Sequence, residues 1–525
     1  MSQSTQPEFG KWRSILWPIH NFELKKLLPM LALFFLILFN YTILRDTKDT
    51  LIVTANGSGA ETITFLKLWG VLPMAILFMI IYSKLSNVLS KKALFYTTVS
   101  PFIVFFAIFS TVLYPLRDVL HPNALCDSLQ NSLPQGFMGF IAVIRNWTFS
   151  LFYIMAELWG SVALSLLFWG FANDTTRTSE SKRFYNLFGM GANVALPVSG
   201  YVIIKCSNIR NKLPEGVDAW QVSLNLMMGI VVISGLLIMG VYWYINRFVL
   251  TDPRFSVASN EIKKKKDKPK MSLKESFLYL SKSKYLGCIC ILVMAYGLSI
   301  NIVEVTWKGQ LKLQYPNPNE YSAFMGMYSS IMGYVSIIMM LFVGGNMIRR
   351  KGWGYAAMFT PIVLLISGVC FFSFIMGRDS LGGLIASLGM SPVMLAVVFG
   401  TVQNIMSKSS KYSLFDPTKE MAYIPLDQEQ KVKGKAAIDV VGARLGKSGG
   451  SFIQMGLILA LGSVSAITPY VALILLGVIT AWLIAAKSLS KQYTEVSAKF
   501  EANEAEEAAE TIKVASKTEE APAAT

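Results

Sequence analysis

Runs of roughly twenty apolar residues, separated by polar stretches, recur along the whole chain. They cover 27–44, 62–82, 93–113, 147–172, 184–204, 222–246, 286–306, 322–343, 355–376, 381–404, 440–462 and 465–485. A helix needs about 20 apolar residues to cross roughly 30 Å of hydrocarbon. The pattern therefore predicts an all-α integral membrane protein with twelve transmembrane helices. The eleventh run is the weakest, because Arg444 and Lys447 interrupt it. Residues 1–26 lack a compact apolar core with a small-residue cleavage site, so the first run is expected to serve as its own targeting signal.

The longest polar connection, 247–285, carries Lys263, Lys264, Lys265, Lys266, Lys268 and Lys270 and divides the runs six and six. The expected organisation is an N-terminal segment 1–26, a six-helix half 27–246, a basic linker 247–285, a second six-helix half 286–487 and a disordered tail 488–525. Two parallel six-helix repeats around a central cavity are the major-facilitator pattern. The lysine run reads as a topology determinant at anionic lipid heads.

Composition agrees. Of 525 residues, 53% are hydrophobic and only 15% charged, with a mean hydropathy of +0.47. The net charge of +16 would suggest nucleic acid in a soluble protein; on this apolar background it points to the membrane surface instead. With the N-terminus inside, 35 Lys and Arg fall in segments facing the cytoplasm and 9 on the opposite side, Arg145 being counted with the fourth run that it adjoins, which places both termini in the cytoplasm. Two histidines, His20 and His121, leave no material for a histidine-rich metal site. The five cysteines form no CxxC pair; Cys126 and Cys206 fall in predicted outer loops, where nothing demands that they pair.

Charges inside the spans carry the chemistry, since each costs on the order of 2.5–3.5 kcal/mol at a helix centre on insertion scales. In the fourth run Asn146, Ser150, Tyr153, Glu157 and Ser161 fall on one helical stripe, read here as cavity-lining rather than as a carboxylate satisfied by a neighbouring helix. At the end of the first run Tyr41, Arg45 and Lys48 share a face, with Asp49 placed to pair with Arg45. The seventh run ends in Asn301, Glu304 and Lys308, the last two spaced to pair with each other. The eleventh contains GARLGKSGGS, residues 442–451. Its glycine spacing fails the P-loop pattern and no strand precedes it. As a helix it presents Gly442, Gly446 and Gly450 for close packing, and Arg444, Lys447 and Ser451 on another face. Lys67 and Arg145 are further candidates. The sum is a cavity whose excess of cations suits a small, multiply anionic substrate. Tyr41, Trp69, Tyr153, Trp159 and Trp307 are aromatics near the charges, available to stack a base or simply to pack.

The strings LRDTKDTL (44–51), MAELWGS (155–161), VEVTWK (303–308) and GARLGKSGGS (442–451) resemble the nucleotide transporters of plastids and obligate intracellular bacteria, most nearly the chlamydia-type ATP/ADP translocases. The resemblance implies exchange of external ATP for internal ADP across a bacterial cytoplasmic membrane. It also implies that Lys48, Glu157, Glu304 and Lys447 are the critical charges; Arg45, Tyr153, Asn301 and Arg444 are expected to support them. ATP and ADP are the expected substrates and the lipid bilayer the surroundings. No metal, cofactor or nucleic acid is expected, and the fold needs no second subunit. Mechanistically, an empty cavity of unpaired cations is expected to resist occlusion, which favours exchange. A proton-coupled importer of several nucleotides uses a similar cavity and stands as the alternative. A membrane-embedded enzyme, a nucleotide-sensing receptor and a channel are further readings; the absence of a Ser/His/Asp or Cys/His set speaks against the enzyme.

Overall fold

A computed structural model describes residues 19–252, 255, 273–377, 380, 389–427, 430–438, 442 and 444–519, with the side chains of some of these, Arg444 and Lys447 among them, outside the description. Every described regular element is helical. Ten helices are long and apolar enough to cross a membrane. They are α1 (Asn21–Thr54), α2 (Glu61–Val88), α3 (Lys91–Leu113), α4 (Trp147–Thr175), α5 (Arg183–Lys212, entered from Thr178), α6 (Ala219–Val249), α7 (Lys284–Gln314), α8 (Pro318–Lys351), α9 (Trp353–Met376) and α12 (Val464–Asn503, continuing as helix to Glu519). Two shorter ones, α10 (Pro392–Ser410) and α11 (Arg444–Leu461), occupy the places of the tenth and eleventh apolar runs.

Three expectations shift. The tenth helix starts later than 381, at Pro392, and is carried past Ser410 by a wider π-helical turn at Lys411–Phe415; 381–388 lie outside the described residues. Helix α1 runs ten residues beyond 44, so Arg45, Lys48 and Asp49 sit within the span and not at its margin. The segment expected to be disordered from 488 continues α12 as helix to Glu519, in keeping with its Ala, Glu and Lys content. Residues 256–272, which include the lysine run, lie outside the description.

Consecutive helices run in opposite directions, which defines a near face, where α1 begins, and a far face, where it ends. The two halves meet through α5 against α8 and through α2 against α11. Close approach is built into the sequence. A side chain at Gly200 of α5 would strike the Gly326 carbonyl and Ser330 of α8. The predicted glycine face of α11 does pack closely: a Cβ at Gly446 would lie 3.1 Å from the Met294 carbonyl of α7, and one at Gly450 3.0 Å from Asn301. Cys126 and Cys206 are both free and buried; Cys206 lies on α5 and not in a loop.

At the far face, contacts between halves are tight. Lys312 of α7 donates to the Ser58 carbonyl, Asn319 donates to the Ser207 carbonyl at 3.1 Å and to Ser223 Oγ at 2.7 Å, and Gly136 lies against the backbone of Ile458 and Leu459.

Candidate functional site

The charges of α1 and α7 converge where the halves meet. Asp49 is the centre: its Oδ1 takes Lys48 Nζ at 2.8 Å, and its Oδ2 takes Lys308 Nζ from the other half at 2.7 Å. Lys48 reaches Glu157 Oε1 of α4 at 3.0 Å and lies 3.9 Å above the Tyr153 ring, a cation–π contact. Glu304 is the counterpart in the second half. It faces Lys308 at 3.2 Å, Lys67 of α2 at 3.6 Å and Lys408 of α10 at 3.8 Å. Lys67 also donates to Asn301 Oδ1 at 2.7 Å. One turn below Asp49, Arg45 Nε bonds Asp46 at 2.9 Å and its Nη2 donates to Ser329 Oγ of α8 at 2.8 Å; Ser329 in turn donates to Asp46 at 2.5 Å. Five cations thus meet four carboxylates, and each cation has a carboxylate within 4 Å.

Burial is graded. The Lys48, Asp49 and Lys308 side chains are 2–3% exposed, whereas one turn nearer the near face Arg45 is 15% and Glu304 19% exposed. Glu157, about 15 Å into α4 from its far end at 1.5 Å per residue, is 29% exposed. Exposure thus rises toward Arg45, Glu304 and Glu157 and is lowest at the Asp49–Lys308 pair; Lys67, near the far end of α2, is 21% exposed.

Of the predicted residues, Lys48, Glu157, Glu304, Arg45, Tyr153 and Asn301 come together. The side chains of Arg444 and Lys447 lie outside the description; the α11 backbone that carries them packs on α7. Several expectations fail. Arg45 pairs with Asp46 and not with Asp49. Among the described residues the cluster's cations are paired with carboxylates and not unpaired. Arg145 leaves the cavity for the far face, where it binds Asp127 at 2.6 Å and Gln130 at 2.9 Å. The polar stripe of α4 is only partly a lining: the helix breaks at Asn146, Asn146 and Ser150 satisfy backbone carbonyls, and Tyr153 and Glu157 alone join the cluster. Trp69 is 65% exposed on the outer surface, while Trp159 and Trp307 are buried with their indole N–H groups on backbone carbonyls.

The sequence reading does not single out Asp46 or Lys408, and it gives Asp49 only as a partner for Arg45. Asp49 looked like helix-end solvation, yet Leu51-Ile52-Val53 after it announce that the helix is still in apolar surroundings. Lys408, which also lies 5.4 Å over the Tyr328 ring, sits in a run of serines and lysines that reads as a loop.

The sequence matches the family model described as TLC ATP/ADP transporter over residues 2–493. It is 60% identical to ADP,ATP carrier protein 1 of Chlamydia trachomatis serovar D, over 97% of this chain and 96% of the relative. It is 56% identical to the chloroplastic ADP,ATP carrier protein 2 of Arabidopsis thaliana, over 94% and 78%, and 44% identical to ADP,ATP carrier protein 1 of Rickettsia typhi, over 94% and 98%. In structure it resembles a bacterial homologue of the iron transporter ferroportin in an inward-facing state (TM-score 0.55, 11% identity, 90% of this chain and all of that one). It also resembles the xylose transporter XylE from E. coli in a partially occluded inward-open conformation (TM-score 0.50, 12% identity, 90% and 98%). At such identities these likenesses show the fold alone, a major-facilitator-like arrangement of helices. The chain is a multi-pass membrane transporter, not an enzyme, and it belongs to the TLC ATP/ADP transporter family.

Proposed function

We propose that this chain exchanges external ATP for internal ADP across a bacterial cytoplasmic membrane, with both termini inside. The observation that carries the reading is a cluster of five cations, built from both halves, in a chain whose family is that of ATP/ADP transporters. In this orientation the near face is cytoplasmic and the structure represents the carrier closed to the outside.

Function follows from the charge balance. Nucleotide phosphates entering between Lys408, Arg45 and Lys48 replace carboxylates as acceptors, and charge-assisted hydrogen bonds are about twice as strong as neutral ones. Lys447 and Arg444 of α11 complete the phosphate cradle, and Glu157 and Glu304 hold Lys48, Lys67, Lys308 and Lys408 in place between turnovers. The carrier then rocks between faces by alternating access, as a single copy of the chain, with no metal or cofactor involved.

The test is uptake of labelled ATP into proteoliposomes loaded with ADP or left empty, with no proton gradient. Uptake confined to ADP-loaded vesicles supports exchange. Uptake that requires an imposed proton gradient moves the proton-coupled importer to the front.

A further inference from the structure

Among the described residues three ion pairs join the halves: Arg210 with Glu320, at the exposed far-face edge, and two within the cluster that differ in tightness. Glu304 reaches Lys67 across the junction at 3.6 Å, with both side chains about one-fifth exposed. Asp49 reaches Lys308 at 2.7 Å, with both 2% exposed. The second pair is the most buried of the cluster, and beyond it, toward the far face, lie the contacts between halves described above and a small cavity of about 200 Å³ lined by Leu51, Thr54, Asn146 and Pro318.

We propose that Asp49 is a positioning residue for the exchange cycle: through Lys308 it latches the empty carrier shut on the far side, so that return from the near-open state requires a nucleotide. The proposal rests on the exchange reading above. To open the far side, α1 and α7 must part, which separates Asp49 from Lys308. In the empty protein Asp49 then keeps only Lys48 and Lys308 only Glu304, each on its own helix, and the shortest, most buried pair across the junction is lost with nothing to replace it, which is costly for buried charges. A polyphosphate changes the balance. Its oxygens are acceptors for Lys48 and Lys308, the two lysines that Asp49 holds, and its charge takes over their compensation while the halves separate. A ligand shifts a conformational equilibrium only through its differential interaction with the two states. The Asp49 bridge supplies that difference, because it exists in the far-closed state and is lost in the other.

The reasoning has a directional consequence. After delivering ATP to the near side, the empty carrier stays latched until ADP enters from that side. Net uptake without internal nucleotide is blocked at this step, whereas exchange passes it.

The test compares the full-length wild type with Asp49→Asn, which keeps the side-chain shape and removes the charge, with Asp49→Glu, which keeps the charge, and with Lys308→Met, which breaks the bridge from the other half. Labelled ATP uptake is measured in ADP-loaded and empty proteoliposomes. The ratio of loaded to empty uptake is expected to fall about tenfold or more in Asp49→Asn and Lys308→Met, and to stay near wild type in Asp49→Glu. A second readout does not need turnover. Ala60 is 1% exposed at the far-face junction, its Cβ beside Gly309 of α7. An Ala60→Cys probe is expected to be protected from an impermeant maleimide on the external side in the empty wild type. With Asp49→Asn or Lys308→Met it is expected to react without nucleotide. ATP uptake by the wild type into empty vesicles overturns the exchange reading itself. A wild type that exchanges, beside latch variants in which the probe stays protected and any uptake still needs ADP, overturns the latch.

Discussion

Replacing Lys48 with Gln tests the cluster at the residue joining two of its carboxylates. The amine is 3% exposed, 2.8 Å from Asp49 and 3.0 Å from Glu157. Removing one partner of a buried pair typically costs about 3–5 kcal/mol, because the other charge is left uncompensated. Here the loss is smaller. Asp49 keeps Lys308, and Glu157, 29% exposed, regains water, so about 2–3 kcal/mol of stability is expected to go. Replacing Glu157 with Gln as well removes the stranded carboxylate. The double variant Lys48→Gln/Glu157→Gln is therefore expected to be more stable than Lys48→Gln alone. Affinity does not recover with it. A hydrogen bond to a charged group contributes about 1.5–3 kcal/mol, so losing one to phosphate weakens nucleotide binding roughly 10- to 150-fold. The assay pairs thermal unfolding in detergent with the KM for ATP in ADP-loaded proteoliposomes. A double variant less stable than the single, or an unchanged KM in either, refutes the reasoning.

Two further outcomes follow from the far face. A Cβ at Gly136 would lie 2.6 Å from the Ile458 carbonyl and 2.7 Å from Leu459 Cα, backbone atoms of α11 that have no side-chain freedom with which to yield. Gly136→Ala is thus expected to wedge the halves apart, slowing exchange while making the far side more reactive to impermeant labels; unchanged labelling counts against a closed junction there. His121, in the connection between α3 and α4, has its Nε2 2.7 Å from Thr148 Oγ1 and its ring edge-on to Phe149. Burial holds its imidazole below the ordinary 6.5. The folded state favours the neutral ring, so the stability that His121 contributes is complete above about pH 6.5 and declines as the pH falls toward the lowered value. Wild type is expected to lose more stability than His121→Asn between about pH 7.5 and pH 5; parallel unfolding curves dispose of the idea.

The architecture was legible because the bilayer imposes a length. Apolar runs near twenty residues located the ten long spanning helices, and the glycines of GARLGKSGGS announced the close α11–α7 approach. Helix ends were not legible where polar residues line a cavity. Arg45 to Asp49 looked like the margin of α1 because a hydropathy window reads any charge as water, whether it faces solvent or another helix. Lys408 was placed in a loop for the same reason.

By itself, the sequence determined the all-helical membrane architecture, the presence of charges that lipid would not tolerate and, through four strings, the family. Lys48, Glu157 and Glu304 stand out in apolar surroundings however the chain folds, and they are among the charges that converge. Only the tertiary structure decided the pairing. Spacing along one helix favoured Arg45 with Asp49, yet Asp49 is held by a lysine 259 residues away. Local spacing fixes which partners are available along one helix. Where water is excluded, each charge instead takes the opposite charge that packing brings nearest, and that neighbour is set by how the two halves meet.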